Sequence, residues 1–307
     1  GQTMAVGAIQ TSGTGGGYVE VYKRLGNSWV QQGTDILGGY GFGNSIAMSN
    51  DGLTVAIGKS NNNYVQVYKF VSGTWVQQGA DVVGGASNVM LDFGLSVALS
   101  ADGLTMATGA RFYDDGSTID IGYARIYKFI SGAWVQQGTD IIGEAWGDNS
   151  GSAVALSDDG LTVAIGSPGS DNAPVAYSVG QVRVYKFISG TWTQQGADII
   201  GEGDQDYSGS SVAMSTDGMT VVIGATGNAD VALGSGQVRV YGAQITAPTI
   251  TTSASPAICA GATSFTIPYT ATTGSPTTYS ISGTGITSVT DAALPSSPIT
   301  VNLSSPA

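Results

Sequence analysis

"SGTWVQQGADVVGG" (Ser72–Gly85) and "SGTWTQQGADIIGE" (Ser189–Glu202) are almost the same sequence. Two more versions, "NSWVQQGTDILGG" from Asn27 and "SGAWVQQGTDIIGE" from Ser131, make four copies in the first two-thirds of the chain. A stretch repeated this often marks a repeated structural unit, and its period decides the fold. The tryptophans Trp29, Trp75, Trp134 and Trp192 are spaced by 46, 59 and 58 residues. The Asp-Gly pairs starting at Asp51, Asp102, Asp159 and Asp217 are spaced by 51, 57 and 58. The two rulers agree to within the length of a loop.

Each unit holds four short apolar or alternating runs. In the unit near Ser150 they are "SAVALS" (Ser152–Ser157), "LTVAIG" (Leu161–Gly166), "GQVRVYKF" (Gly180–Phe187) and "TWTQQG" (Thr191–Gly196). Along the third run Val182 and Val184 face one way, and Arg183, Tyr185 and Phe187 the other. A period of two with β-branched and aromatic residues means strand. Asp-Gly between the first two runs and Ser-Gly between the last two are hairpin-turn chemistry. Four antiparallel strands in about 50 residues, repeated, describe a blade of a β-propeller. A β-solenoid would use shorter coils and fewer turns. The repeated stretch then reads as the outer strand of a blade and the turn into the next.

Composition agrees with an all-β chain. Gly accounts for 47 of 307 residues without a collagen-like period, so tight turns are frequent. Net charge is −12, which argues against nucleic acid or an anionic membrane surface as partner. No apolar run approaches the roughly 20 residues of a membrane span. The lone Cys259 has no internal disulfide partner, and histidine is absent.

The stretches "FGNSIAMSNDGLTVAIG" from Phe42 and "FGLSVALSADGLTMATGA" from Phe93 resemble the FG-GAP repeat of integrin-α-like propellers. Phe-Gly opens the unit, and "GSP" (Gly166–Pro168) and "GAT" (Gly224–Thr226) fit its closing position. The resemblance spans roughly residues 1–243. Later units depart from it, with Ser150-Gly151 and Ser208-Gly209 where Phe-Gly stands earlier. Gly1 aligns with Gly52, and the last unit stops at "GQVRVYGAQ" (Gly236–Gln244) without a tryptophan strand. Five blades are visible, with 3, 4, 4, 4 and 3 strands. They are expected to belong to a longer chain and a seven-bladed ring; a closed five-bladed ring is the alternative.

After Gln244 the composition changes. The remainder carries a single charge, Asp291, so the propeller (1–244) holds −11 of the −12 (10 basic against 21 acidic). "SFTIPYTAT", "TTYSISG" and "SPITVNLS" alternate like strands of a β-sandwich. Residues 248–307 resemble the Ig-like or PKD-like modules strung along large Bacteroidetes surface proteins. At about 60 residues the segment falls short of a full sandwich of about 100.

The four repeat tryptophans read as packing between blades. Trp146 breaks the pattern and lies in the loop "GEAWGDNSG", which makes it, with Tyr113 and Tyr207, a candidate for stacking on a ligand. Asp35, Asp81, Asp140 and Asp198 recur after Gln-Gln-Gly and read as turn acceptors. Integrin-type repeats carry a calcium loop between their first two strands; here "SNDG", "SADG", "SDDG" and "STDG" are too short for spaced ligands. A weaker calcium candidate is "DDGSTID", with Asp114, Asp115 and Asp120 around Gly116. Asp148, Asp204 and Asp206 lie in similar acidic loops. "GDNSGS" around Ser150 has the look of a serine-protease nucleophile, but no histidine exists to take its proton. Glu20, Glu144 and Glu202 form no paired-carboxylate pattern, and Cys259 has no base in view.

The resemblance implies a non-enzymatic, extracellular adhesion or surface-structure module. Its propeller presents loops to surface proteins or glycans, and further modules of the same long chain assemble with it. A carbohydrate-binding head and the non-catalytic part of a larger secreted hydrolase are the alternatives.

Overall fold

The computed structural model describes residues 2–9, 16–85, 91–171, 177–229, 232 and 234–242, together with 250–252, 263–267, 269–271, 278–281, 287, 289–293 and 299–303. The chain divides into two compact units, Gly1–Gly242 and Ala243–Ala307. Among the described residues no helix is long and apolar enough to cross a membrane.

The first unit is a succession of antiparallel sheets, one per repeat. The first sheet holds β1 (Thr3–Ala8), β2 (Tyr18–Leu25), β3 (Ser28–Gln31) and the short β4 (Ile36–Leu37). The second holds β5 (Ser45–Met48), β6 (Thr54–Lys59), β7 (Tyr64–Val71), β8 (Thr74–Gln77) and β9 (Val82–Val83). The third and fourth repeat this order: β10 (Val97–Leu99), β11 (Thr105–Ala110), β12 (Tyr123–Ile130), β13 (Ala133–Gln136), β14 (Ile141–Ile142), then β15 (Ala153–Leu156), β16 (Thr162–Ser167), β17 (Gln181–Ile188), β18 (Thr191–Gln194), β19 (Ile199–Ile200). The fifth has β20 (Ser208–Met214), β21 (Thr220–Ala225) and β22 (Gln237–Gly242). These are propeller blades, and the fold is an all-β propeller.

The repeated stretch is more than strand and turn. In the third blade Gln136 pairs with Tyr127, Gln137 N donates to the Ile126 carbonyl (2.8 Å), and Ile141 pairs with Ala124. Gln137–Asp140 thus bulge from a single outer strand, which resumes as β14 in the same blade. The reading of Gln-Gln-Gly as a turn into the next blade is corrected accordingly. The bulge has its own clasp, because Gln136 Nε2 donates to Asp140 Oδ1 (2.8 Å). Equivalent contacts join Gln31 to Asp35, Gln77 to Asp81 and Gln194 to Asp198 (2.6–2.7 Å).

The bulge seats the next blade's tryptophan. Trp134 Nε1 donates to the Gln78 carbonyl (2.8 Å), Trp75 Nε1 to Gln32 (2.7 Å) and Trp192 Nε1 to Gln137 (2.7 Å). Gly79 beneath Trp134 has φ +80°, and a Cβ there would lie 3.0 Å from the indole Cδ1. Glycine satisfies both demands. A phenyl ring of the same hairpin leans on each indole, as Phe129 does on Trp134 at 5.2 Å between centroids.

Nearer the axis, backbones touch. A Cβ on Gly58 would fall 1.9 Å from the Gly94 carbonyl oxygen of the following blade, and one on Gly109 would meet Gly151 O in the same way. The Gly of the Phe-Gly pair therefore persists where Phe becomes Ser. Phe42 and Phe93 fill the space over Gly38 and Gly84, while at the equivalent Gly143 and Gly201 the space is taken by Ile121 and Val179 from longer loops. The Asp-Gly turns are linked too: Asn50 N donates to Ala101 O (3.0 Å), Ala101 N to Asp158 O and Asp158 N to Thr216 O (both 2.9 Å). Each turn is braced internally, for example by the Ser100 hydroxyl to Asp102 (2.5 Å) and Leu104 N to Asp102 (2.9 Å).

Four apolar clusters straddle consecutive blades. Between the first two blades, Val19 and Val21 meet Val55 and Ile57. Alternation along each third strand sends its aliphatic residues into the following blade and its tyrosine toward the preceding one, as with Val182 and Tyr185. The apolar contacts between blades thus join neighbours, as in other repeat architectures.

The second unit is built from antiparallel pairs: β23 (Ile250–Thr252) with β25 (Tyr269–Ala271), β24 (Ser264–Ile267) with β28 (Ile299–Asn302), and β26 (Thr278–Ile281) with β27 (Val289–Ala293). Ile299 and Val301 are buried and alternate with exposed Thr300 and Asn302.

The seat predicts a contrast between tryptophans in one register. Trp192 is 8% exposed and seated; Trp29, in the first blade, is 45% exposed and touches no such carbonyl among the described residues. Trp192→Ala should cost about 3–5 kcal/mol, as for a buried aromatic, and Trp29→Ala should stay within about 0.5 kcal/mol. Chemical denaturation of both variants checks this, and equal losses would refute the seating argument.

Candidate functional site

The connections from second to third strand and from outer strand to the next blade emerge at the same end of the sheets, and in blades three to five they interlock. Gly147 N donates to Ile119 O (3.1 Å), Asn149 N to Asp120 O (3.0 Å) and Ser150 N to Ile121 O (3.1 Å). One blade on, Gln205 N donates to Tyr177 O (2.8 Å), Tyr207 N to Ser178 O (3.0 Å) and Ser208 N to Val179 O (3.0 Å). Parallel bridges Gly122–Ser150 and Gly180–Ser208 complete both joints. Gly169 N to Asp148 O (3.1 Å) and Gly227 N to Asp206 O (3.0 Å) tie the pairs into one continuous rim.

A buried carboxylate closes each outer loop. Asp148 Oδ2 accepts from Glu144 N (2.7 Å) and Ala145 N (2.9 Å), and Asp206 Oδ2 accepts from Glu202 N (3.1 Å) and Gly203 N (2.8 Å). Asn228 Nδ2 adds a donor to Asp206 at 3.2 Å. Burial of an acid is tolerable when amides supply its hydrogen bonds. Beside these loops Glu144 pairs with Arg183 (3.3 Å) and Glu202 with Arg239 (3.2 Å). The arginines also donate to the carbonyls of Ile142 (2.8 Å) and Ile200 (3.2 Å) in the preceding blade.

On this fixed backbone Trp146 stands 69% exposed beside Ile119, itself exposed. The equivalent pair one blade on is Tyr177, 68% exposed, and Asp204, whose Oδ1 accepts from Tyr177 N (2.6 Å). Tyr207 is exposed with φ +52°, a left-handed conformation rare for so large a side chain. Asp92 and Asn149 hold the same backbone position in earlier blades. Trp146 and Tyr207 thus lie on one rim. Tyr113 is turned away from them: partly buried, it packs edge-on against buried Tyr123 at 4.8 Å and 80°, against the core between blades two and three. Sequence reading missed Tyr177; aligning "STIDIG" with "VAYSVG" places it over Ile119 and would have found it.

Among the described residues no group of three acidic or thiol side chains converges on one point. Of the calcium candidates, Asp114 and Asp115 use their carboxylates locally, turned in on their own backbone. Asp115 Oδ1 accepts from Ser117 N (2.9 Å), the Ser117 hydroxyl (2.8 Å) and Thr118 N (2.7 Å), and Asp114 Oδ1 accepts from Asp120 N (2.8 Å). Bonds from Ser117 and Thr118 hold the Asp115 carboxyl below its ordinary range. Ser150 is fully buried in its parallel bridge, out of reach of any substrate.

A groove of about 270 Å³ lies elsewhere, on the outer rim between blades two and three, against Trp134, Tyr127 and Asp81.

No protein-family model matches the chain, and no curated protein resembles it significantly. Solved structures are similar in fold. A Lactobacillus plantarum protein aligns over 78% of this chain and 68% of its own at 16% identity and TM-score 0.48. The β-propeller domain of the Trilobed protease from Pyrococcus furiosus, reported with an open velcro topology, aligns over 89% and 77% at 10% identity and TM-score 0.45. Hydrazine synthase from Kuenenia stuttgartiensis aligns over 67% at 13% identity and TM-score 0.43, and the chain spans about half (49%) of that protein.

Two outcomes are expected from this geometry. Melting temperatures with excess calcium and with EDTA should coincide; a large rise with calcium would restore the metal reading. Because the Asp115 carboxyl is depressed in the folded state, its bonds persist above the ordinary carboxylate range and fail only as pH falls through its lowered value. Amide-exchange protection at Ser117 and Thr118 should therefore survive acidification past the range where a free aspartate titrates.

Proposed function

We propose that the chain is a non-enzymatic binding module of an extracellular adhesion or surface-structure protein, with the rim of blades three to five as its contact surface. One observation carries the reading. Trp146 is held out to solvent by a loop whose backbone is tied on both sides and closed by buried Asp148. A large aromatic fixed in place yet exposed supplies contact area with little ordering cost on binding, as at the anchor points of protein interfaces. The FG-GAP likeness supports adhesion, since the Phe-Gly glycines keep their structural place at Gly43, Gly94, Gly151 and Gly209. The Ig-like or PKD-like likeness of the second unit supports a spacer. The acidic loops favour partners other than nucleic acid.

The succession Trp146, Tyr177, Tyr207 favours a second reading, a carbohydrate-binding head in which sugar rings lie on these faces. Arrays of glycans and of extracellular-matrix proteins, probed with the parent chain and with Trp146→Ala, test both readings. Trp146→Ala should weaken the bound class at least about tenfold, the effect of losing one aromatic anchor, at unchanged melting temperature. Protein ligands support the adhesion reading and glycans the second. Binding indifferent to Trp146→Ala removes this rim from either.

A further inference from the structure

The loops that lead from one blade into the next hold their first amides in different ways. After Gly143 the amides of Glu144 and Ala145 donate to Asp148 Oδ2, and after Gly201 those of Glu202 and Gly203 donate to Asp206 Oδ2. Gly38 is the equivalent glycine at the entry to the second blade, and Gly39 and Tyr40 follow it. This loop is shorter, with five positions from Gly38 to Gly43 against eight from Gly143 to Gly151, and no acid occurs between Asp35 and Asp51. Among the described residues, no acceptor takes the Gly39 and Tyr40 amides. A lysine stands beside them instead. Lys59 ends β6, where Ala8, Ala110, Ser167 and Ala225 end the second strands of the other blades. The remaining lysines, Lys23, Lys69, Lys128 and Lys186, repeat at one exposed position of the third strands. Lys59 is 9% exposed, and among the described residues it has neither an ion pair nor a hydrogen bond. Its Nζ lies 5.1 Å from the centroid of the Tyr64 ring. A Cβ on Gly39 would come within 2.6 Å of that Nζ, so glycine is what admits the ammonium to the loop backbone.

The geometry points to a binding site for a carboxylate between the first and second blades, formed by the Gly39 and Tyr40 amides and the Lys59 ammonium. The chain supplies its own precedent, since an aspartate carboxylate holds the equivalent amides in two later loops. There the acid belongs to the loop; in the shorter loop it comes from another molecule, and Lys59 supplies the opposite charge. Two amides and one ammonium offer donors only, which suits a group that only accepts. One ammonium matches the single charge of a carboxylate. A largely buried ammonium costs free energy until an anion or acceptors compensate it, so occupation relieves a penalty that the fold already carries. Tyr40 is 51% exposed, so the loop is reached from solvent. This inference is independent of the Trp146 rim.

Amide NMR of the isotope-labelled 307-residue chain tests it, by titration with sodium acetate while sodium chloride holds ionic strength constant. Saturable shifts should appear at Gly39 and Tyr40. The amides of Glu144, Ala145, Glu202 and Gly203, already held by aspartates, should stay in place. Lys59→Met keeps an apolar stem in the junction and should weaken acetate about tenfold, the scale of one charge-assisted hydrogen bond. A parallel titration with N-acetylaspartate methylamide separates the two sources of a carboxylate, a free acid and a protein side chain, by which probe binds more tightly. Should Lys59→Met fail to fold, the parent's shifts still decide. Absence of saturable shifts with both probes, or binding undiminished in Lys59→Met, would overturn the assignment.

Discussion

A methyl group does not fit between Gly58 and the carbonyl oxygen of Gly94, and the rest of the propeller depends on that. Where the second strand of one blade meets the first turn of the next, peptide backbones lie against each other with no side chain between them. This close approach sets the spacing of blades at their inner edge. Farther out, the aliphatic pairs close over one another, and at the perimeter the indoles of Trp75, Trp134 and Trp192 reach the carbonyl waiting on the preceding bulge. The contact widens from bare backbone to Val to Trp as the blades diverge. Side-chain size is graded by radius, and a repeat with this grading stacks in only one way.

Such a scaffold leaves its upper loops free to differ. The connections after the second strand differ in length, from 60–63 in the second blade to 168–180 in the fourth. The longer loops still contribute downward, because Ile121 and Val179 take the place that Phe42 and Phe93 occupy between earlier blades. Upward, they pair with the neighbouring loop and hold it still. Trp146 and Tyr177 are placed by backbone bonds at their bases, which is the arrangement needed to present an aromatic face without first ordering it.

Much of the propeller was legible because its determinants are local and periodic. Alternation named the strands, Asp-Gly and Ser-Gly named the hairpins, and recurrence of tryptophan in one register revealed a shared packing role. What escaped depended on contacts between distant residues. The bulge at Gln137–Asp140 looks like a turn in sequence, since Gln-Gln-Gly-Thr-Asp has turn composition; only pairing of Ile141 with Ala124 shows the strand resuming. Tyr113 shares the polar, glycine-rich setting of a surface loop, yet it packs against the core through a tyrosine ten residues later. The acids at Asp114, Asp115 and Asp120 have metal-like spacing, and only hydrogen-bond geometry shows the carboxylates of Asp114 and Asp115 bonded to backbone amides of their own loop. Exposure of Trp146 was legible for the opposite reason, as the one tryptophan outside the repeat.

The near-identity of the outer strands sets a sorting problem for the folding chain. By hydrogen bonding and side-chain fit, the segment around Trp75 would lie about as well on β12 or β17 as on its own β7. What separates these outcomes is the two-residue link, with Ser72 and Gly73 both at positive φ, as are Ser131-Gly132 and Ser189-Gly190. This backbone matches the twist of a tight hairpin. Such a hairpin closes in microseconds, whereas a partner one or two blades away requires closure of a loop of some fifty residues or more. Each outer strand is claimed by its neighbour before a competitor arrives, so these small turns act as a proofreading step, letting one sequence be used four times without exchange between blades.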